Sequence, residues 1–212
     1  MSSLMQHLCD EMTLPRMIRV KQRFDGQKID AGHIPALVAA ELSRPEIAGK
    51  ISAGKTVAVT CGSRGVVNVA VITRAIVDFV KSRGGKPFVV PAMGSHAGAT
   101  AEGQKELIGR YGVTEEFLGC PIKSSMETVE IGVSDAGPHV RLDKNAATAD
   151  AIIVAGRVKA HTDFRGPYES GLMKMMAIGL GKREGADICH QLGFGHMAHR
   201  VHLFGRAIVK HA

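Results

Sequence analysis

Residues 56–90 read TVAVTCGSRGVVNVAVITRAIVDFVKSRGGKPFVV. The first five are a β-branched run, closed by the glycine-bearing turn Cys61-Gly-Ser-Arg-Gly65. Val69, Ile72, Ile76, Phe79 and Val80 then recur at helical spacing within residues 66–82, and Gly84-Gly85 supplies a stop. A second apolar run, residues 87–90, follows at once. Strand, helix and strand in this order form a βαβ unit, whose strands run parallel because the crossover helix returns the chain to its starting edge.

Working outward, residues 128–133 (TVEIGV) and 151–155 (AIIVA) carry the same strand signal. Residues 34–47 read as a helix that Pro45 ends early. Residues 101–110 follow Thr100 and residues 114–118 begin at Thr114, both threonines suited to capping. The last thirty residues read as glycine-punctuated helix. The predicted fold is α/β, a mostly parallel sheet with helices on both faces, formed as one domain from residues 1–212. In such sheets ligands bind outside the carboxyl ends of the strands. The loops leaving those ends are residues 61–65, 91–100 (PAMGSHAGAT) and 156–166 (GRVKAHTDFRG), and they should converge.

Composition narrows the function classes. Lys and Arg number 27 against 20 acids, a formal charge of +7, but they form no run of five or six. With no Trp and two Tyr there is little to stack bases on, so nucleic acid is not the expected partner. A diffuse positive field suits a small carboxylate or phosphate better. Cys9, Cys61, Cys120 and Cys189 are far apart and lack a C-x-x-C pair, which fits reduced thiols and a cytoplasmic location. The first seventeen residues lack the apolar stretch of a signal peptide, and no segment reaches the ~18 apolar residues of a membrane span.

Four segments could carry chemistry. Ser63 and Arg64 lie in a βα turn whose free N–H groups and guanidinium could hold an anion, although an ordinary turn with a surface arginine reads equally well. His96, flanked by small residues after a strand, could act as acid or base near neutral pH. Lys159, His161, Asp163 and Arg165 crowd seven residues after another strand, too polar a set to bury cheaply. Asp163 or a neighbour could fix the His161 tautomer. Lys174, set among Leu172, Met173, Met175, Met176 and Ile178, could lose its proton and become a nucleophile. The glycines on either side argue against a plain helix with a snorkelling lysine.

Taken in order, these segments resemble the nickel-dependent lactate racemase family. Gly94-Ser-His96 is similar to its first histidine loop. His161, then Ser170-Gly-Leu-Met-Lys174, is similar to its second histidine and S-G-x-x-K lysine, and His190 falls sixteen residues beyond Lys174. Arg64 precedes His96 by about thirty residues, as that family's arginine does. The resemblance implies a nickel-pincer nucleotide joined covalently to Lys174, with His190 as the protein's nickel ligand. It implies His96 and His161 as the acid/base pair, and Ser63, Arg64 and Ser170 as contacts to cofactor or substrate.

The implied reaction is racemisation or epimerisation of a 2-hydroxycarboxylate by transient hydride transfer. The implied partners are that substrate and the enzymes that build the cofactor. Two differences point to a relative of lactate racemase: the longer segment between His161 and Lys174, and Cys61 where an aspartate is usual. The family's second, C-terminal domain is not expected within these residues. Two other readings predict different behaviour. A zinc hydrolase would use His196, His199 and His202, which step by three, and an anion-binding module without catalysis would use Arg64 and leave Lys174 unmodified.

Overall fold

The computed structural model describes residues 16–21, 23, 26, 28–134 and 137–212. The predicted βαβ unit is its centre. Strand β1 (Thr56–Cys61) lies between β2 (Lys86–Pro91) and β5 (Ala151–Ile153), and both pairings are parallel. From Val57 onward β1 is buried throughout, as a strand covered on both faces must be. Side chains alternate between the two layers. Ala58, Phe88 and Val90 pack with Met176, Ile178, Leu180, Val201 and Phe204 on one face. Val59, Cys61 and Val89 pack with Ile76, Val77, Ile108 and Leu118 on the other. Helices therefore cover both faces, as the sequence implied.

The Val69–Ser82 helix starts three residues later than its apolar pattern suggested, because Asn68 adopts a left-handed conformation (φ 62°) that breaks helical geometry. Helices Ile34–Leu42 and Pro45–Ala48 replace the single segment expected, divided where the proline demanded. Both threonine caps form. Thr100 accepts a hydrogen bond from the Gly103 N–H at 3.1 Å, and Thr114 from the Phe117 N–H at 3.2 Å.

The run at residues 128–133 departs from the parallel sheet. It forms β3 (Thr128–Val133), paired antiparallel with β4 (His139–Asp143) in a separate hairpin. The reason is local. Glu130 and two half-exposed valines cannot fill a slot covered on both faces, and the ladder bulges between Glu130 and Gly132. In β4, Val140 and Leu142 turn inward to meet the C-terminal helices. Cys61, Cys120 and Cys189 are free and buried, whereas Cys9 and the first fifteen residues lie outside the described residues. Among the described residues, no helix is long and apolar enough to cross a membrane.

Candidate active site

The loops leaving β1 and β2 meet through a 2.5 Å contact between Ser63 Oγ and His96 Nδ1. The β1 loop is braced from behind by the Tyr111 hydroxyl, which donates to the Ser63 carbonyl at 2.8 Å. With Nδ1 engaged by the serine, Nε2 is the ring nitrogen left for other partners. Partial burial holds the His96 pKa below its ordinary 6.5, and the nearby charges of Arg64 and Lys174 push the same way. Arg64 itself is exposed. Cys61, beside this turn, faces the core, and burial pushes its thiol up to about 12. It is therefore not a substitute for a carboxylate in the cleft.

The third loop brings His161 and Lys174 together, with Nε2 and Nζ 2.8 Å apart. Glu169 folds this loop by accepting the His161 backbone N–H at 2.7 Å and that of Gly166 at 3.3 Å. Phe164 is buried beneath the imidazole, its ring stacked at 4.1 Å between centroids. The tautomer is fixed by the backbone of Asp163, whose N–H donates to His161 Nδ1 at 3.1 Å, while the carboxylate stands 3.8 Å from the same atom.

A neutral His161 then carries its proton on Nε2, facing Lys174. In that tautomer Nζ accepts the Nε2 proton as an uncharged amine, and in the opposite tautomer a charged Lys174 donates to Nε2. Burial lowers the Lys174 pKa from its ordinary 10.5, and Lys159 and Arg64 lower it further. Burial and then Lys174 likewise lower that of His161.

Lys174 does lie in a helix, Leu172–Lys174, but the helix widens at once into a π-helical turn, Met175–Leu180. Gly171 makes the entry possible. Its φ of 109° suits only glycine, and a Cβ there would lie 3.0 Å from Val158 Cγ2. Ser170 is half-buried on the turn just before it. The methyl group of Met175 fills the space beside both Gly62 and Gly156, where a Cβ would lie 2.9 Å from it, so the lysine segment is seated against two of the strand-end loops.

The structure thus makes two contacting pairs, Ser63–His96 and His161–Lys174, with Arg64 near enough for its charge to act on His96 and Lys174 and with Ser170 on the turn before the lysine. His190 ends the Lys182–His190 helix and has different neighbours. Its Nδ1 contacts the Ala186 carbonyl at 2.8 Å, and its ring meets Phe194 edge-on at 5.9 Å. An Nδ1–H donating to a carbonyl leaves the Nε2 lone pair for a metal.

The histidine cluster of the alternative zinc reading does not form. Among the described residues no group of three or more His, Cys, Asp or Glu could hold a metal ion. His196 precedes the Met197–His211 helix, and His202 packs on Tyr168 with centroids 5.0 Å apart. At about 100° per residue, side chains six apart diverge by about 120°, so a step of three does not keep three histidines on one face.

Tyr111, Phe164 and Glu169 support the site without having been singled out in sequence. Nothing local marks the first two. Glu169 stood within the extra residues before Lys174, and its carboxylate could have been read as a loop clamp.

Fold and site define an α/β domain with histidine, lysine and arginine side chains gathered at the carboxyl ends of parallel strands. The sequence model of the lactate racemase N-terminal domain matches residues 21–201, and the chain belongs to that family. A search of curated proteins returns no match.

Proposed function

We propose that this domain provides the cofactor attachment and the acid/base groups of a 2-hydroxycarboxylate racemase or epimerase. The observation that carries the reading is the arrangement of two histidines from loops after different strands, His161 in contact with Lys174 and His96 with Ser63, each with its pKa held below 6.5 by burial. Family membership supports the reaction class.

The residues fit a nickel-pincer nucleotide. Lys174, on a fixed helical turn and with its pKa lowered by burial, would form its covalent link. Arg64 and Lys159 would face its phosphate or the substrate carboxylate, and His190 would give nickel one imidazole nitrogen. When bound, that group supplies a reversible acceptor for the substrate's α-hydride.

The protein's own part is proton handling. The α-hydrogen of a 2-hydroxy acid is too weakly acidic to be removed readily as a proton. Loss of hydride with loss of the hydroxyl proton leaves a planar 2-keto acid that can be reduced on either face. Each enantiomer needs its own base, which accounts for two histidines, each worth ~10²–10⁴ in rate. His96 would take the hydroxyl proton through Nε2, backed by Ser63. His161 would serve the opposite enantiomer once Lys174 is covalently engaged and the ring moves its proton to Nδ1, toward the Asp163 carboxylate, which leaves the Nε2 lone pair to take the hydroxyl proton.

The test is isotopic. Cofactor-loaded protein racemising a Cα-deuterated 2-hydroxy acid in ordinary water should retain the label in both enantiomers. Washout of deuterium to solvent would replace hydride transfer with proton abstraction.

A further inference from the structure

Behind the His96 loop lies a buried polar chain that the proposed chemistry does not use. Asp143, Lys182 and Gln104 come from three separate elements, and each is fully buried. Lys182 Nζ donates to the carbonyl of Pro91, the last residue of β2. It also lies 3.0 Å from Asp143 Oδ2 and 3.4 Å from Gln104 Oε1. The Gln104 amide nitrogen then donates to the Gly94 carbonyl at 2.9 Å and the His96 carbonyl at 3.4 Å. The other Asp143 oxygen accepts the backbone N–H groups of Asn145 and Ala146.

The loop held in this way is strained. Gly94, Ala97, Gly98 and Ala99 all have φ between 53° and 70°, and two of them are alanines, which avoid that region. Lys182 itself sits at φ 54°. Such conformations persist only where surrounding contacts over-determine them. The loop also lies directly on the Ala101–Gly109 helix, where a Cβ on Gly103 would overlap the Ala97 carbonyl oxygen. A buried ion pair is a poor source of stability compared with apolar packing, so its presence calls for another reason.

We propose that Gln104, oriented by the buried Lys182–Asp143 pair, is a positioning residue that fixes the His96 loop and so sets the Ser63–His96 contact. This rests on His96 being an acid/base group, but its first test needs neither cofactor nor substrate. Gln104→Glu keeps the side chain's length and an acceptor for Lys182, and removes both donors to the Gly94 and His96 carbonyls.

Imidazole NMR titration of the protein without cofactor reads the result. In Gln104→Glu the Nδ1 signature of the Ser63 contact should weaken, and in Gln104→Asn, which adds no charge, the His96 titration should also rise toward its ordinary position as the ring leaves Arg64 and Lys174. His161 should titrate as before. In loaded protein kcat should fall on the order of 10²-fold, the usual effect of a misplaced group, with KM little changed. A folded Gln104→Glu protein with lower Tm but an unaltered Nδ1 signature, or a folded Gln104→Asn protein with an unaltered His96 titration, would reduce the network to a structural role and overturn the proposal. Should Gln104→Glu not fold, Gln104→Asn, whose shorter amide cannot reach, gives the reading alone. An altered His96 titration in a protein without racemase activity would uphold the positioning role while refuting the proposed reaction.

Discussion

Replacing Lys182 with methionine should destabilise the domain far more than an ordinary lysine substitution. The ammonium and the Asp143 carboxylate are both inaccessible to solvent and 3.0 Å apart. Methionine nearly conserves volume, so little cavity arises, and the cost comes from the abandoned carboxylate. Removing one partner of a buried pair typically costs about 3–5 kcal/mol. The Pro91 carbonyl and Gln104 Oε1 lose a donor as well. Against a total stability of about 5–15 kcal/mol, this is a large fraction. At about 2–4 °C per kcal/mol for a domain of this size, Tm should fall by roughly 6–20 °C. Urea unfolding followed by circular dichroism would measure it, with the slope unchanged and only the midpoint moved. Adding Asp143→Asn to Lys182→Met should cost less than the two single losses together, because no buried charge is then left alone. A loss below about 1 kcal/mol for Lys182→Met would refute the reasoning, since it would mean that Asp143 is neither charged nor secluded.

Three further outcomes follow from the site. An amine-directed acylating reagent at mildly alkaline pH should label Lys174 ahead of exposed lysines, and His161→Ala should slow that labelling; peptide mass mapping reads both. His96 and His161 titrate below 6.5 when folded, so below that pH the unfolded chain binds protons that the folded one resists. Stability should therefore decline as pH falls from 6.5 toward the folded values and then level off for these two groups, and His96→Asn with His161→Asn should flatten that part of a urea-midpoint profile. Cys61 and Cys189, both pushed up to about 12 by burial, should ignore iodoacetamide at pH 8 in the native protein and react once it is unfolded.

What could be read from sequence was what local chemistry decides. The β-branched run of β1, the apolar stripe through Ile76 and Val80, and the caps at Thr100 and Thr114 each depend on residues within a turn or two. The placement of His96 and His161 on loops leaving the strands followed from one rule about strand ends, whereas Lys174 stood out by its apolar neighbours. The β3–β4 hairpin was missed as a unit because HVRLD is short and its pairing is settled by β3 and by the C-terminal helices. The π-helical turn after Lys174 depends on Gly179 packing against the Ala92 carbonyl, where a Cβ would lie 2.8 Å from the oxygen, a contact between distant segments. Nothing local distinguishes Gln104 within the helix of residues 101–110. Only the fold turns it inward to meet Lys182 and the carbonyls of the histidine loop.

In the proposed enzyme Lys174 carries the cofactor and His190 holds its nickel. Intact-protein mass and elemental analysis, after co-expression with cofactor-building enzymes, test it most directly. The expected result is a mass increase that maps to Lys174 and is lost in Lys174→Ala, together with equimolar nickel that drops about tenfold or more in His190→Ala. Unmodified Lys174 after such co-expression, with no nickel bound, would contradict it.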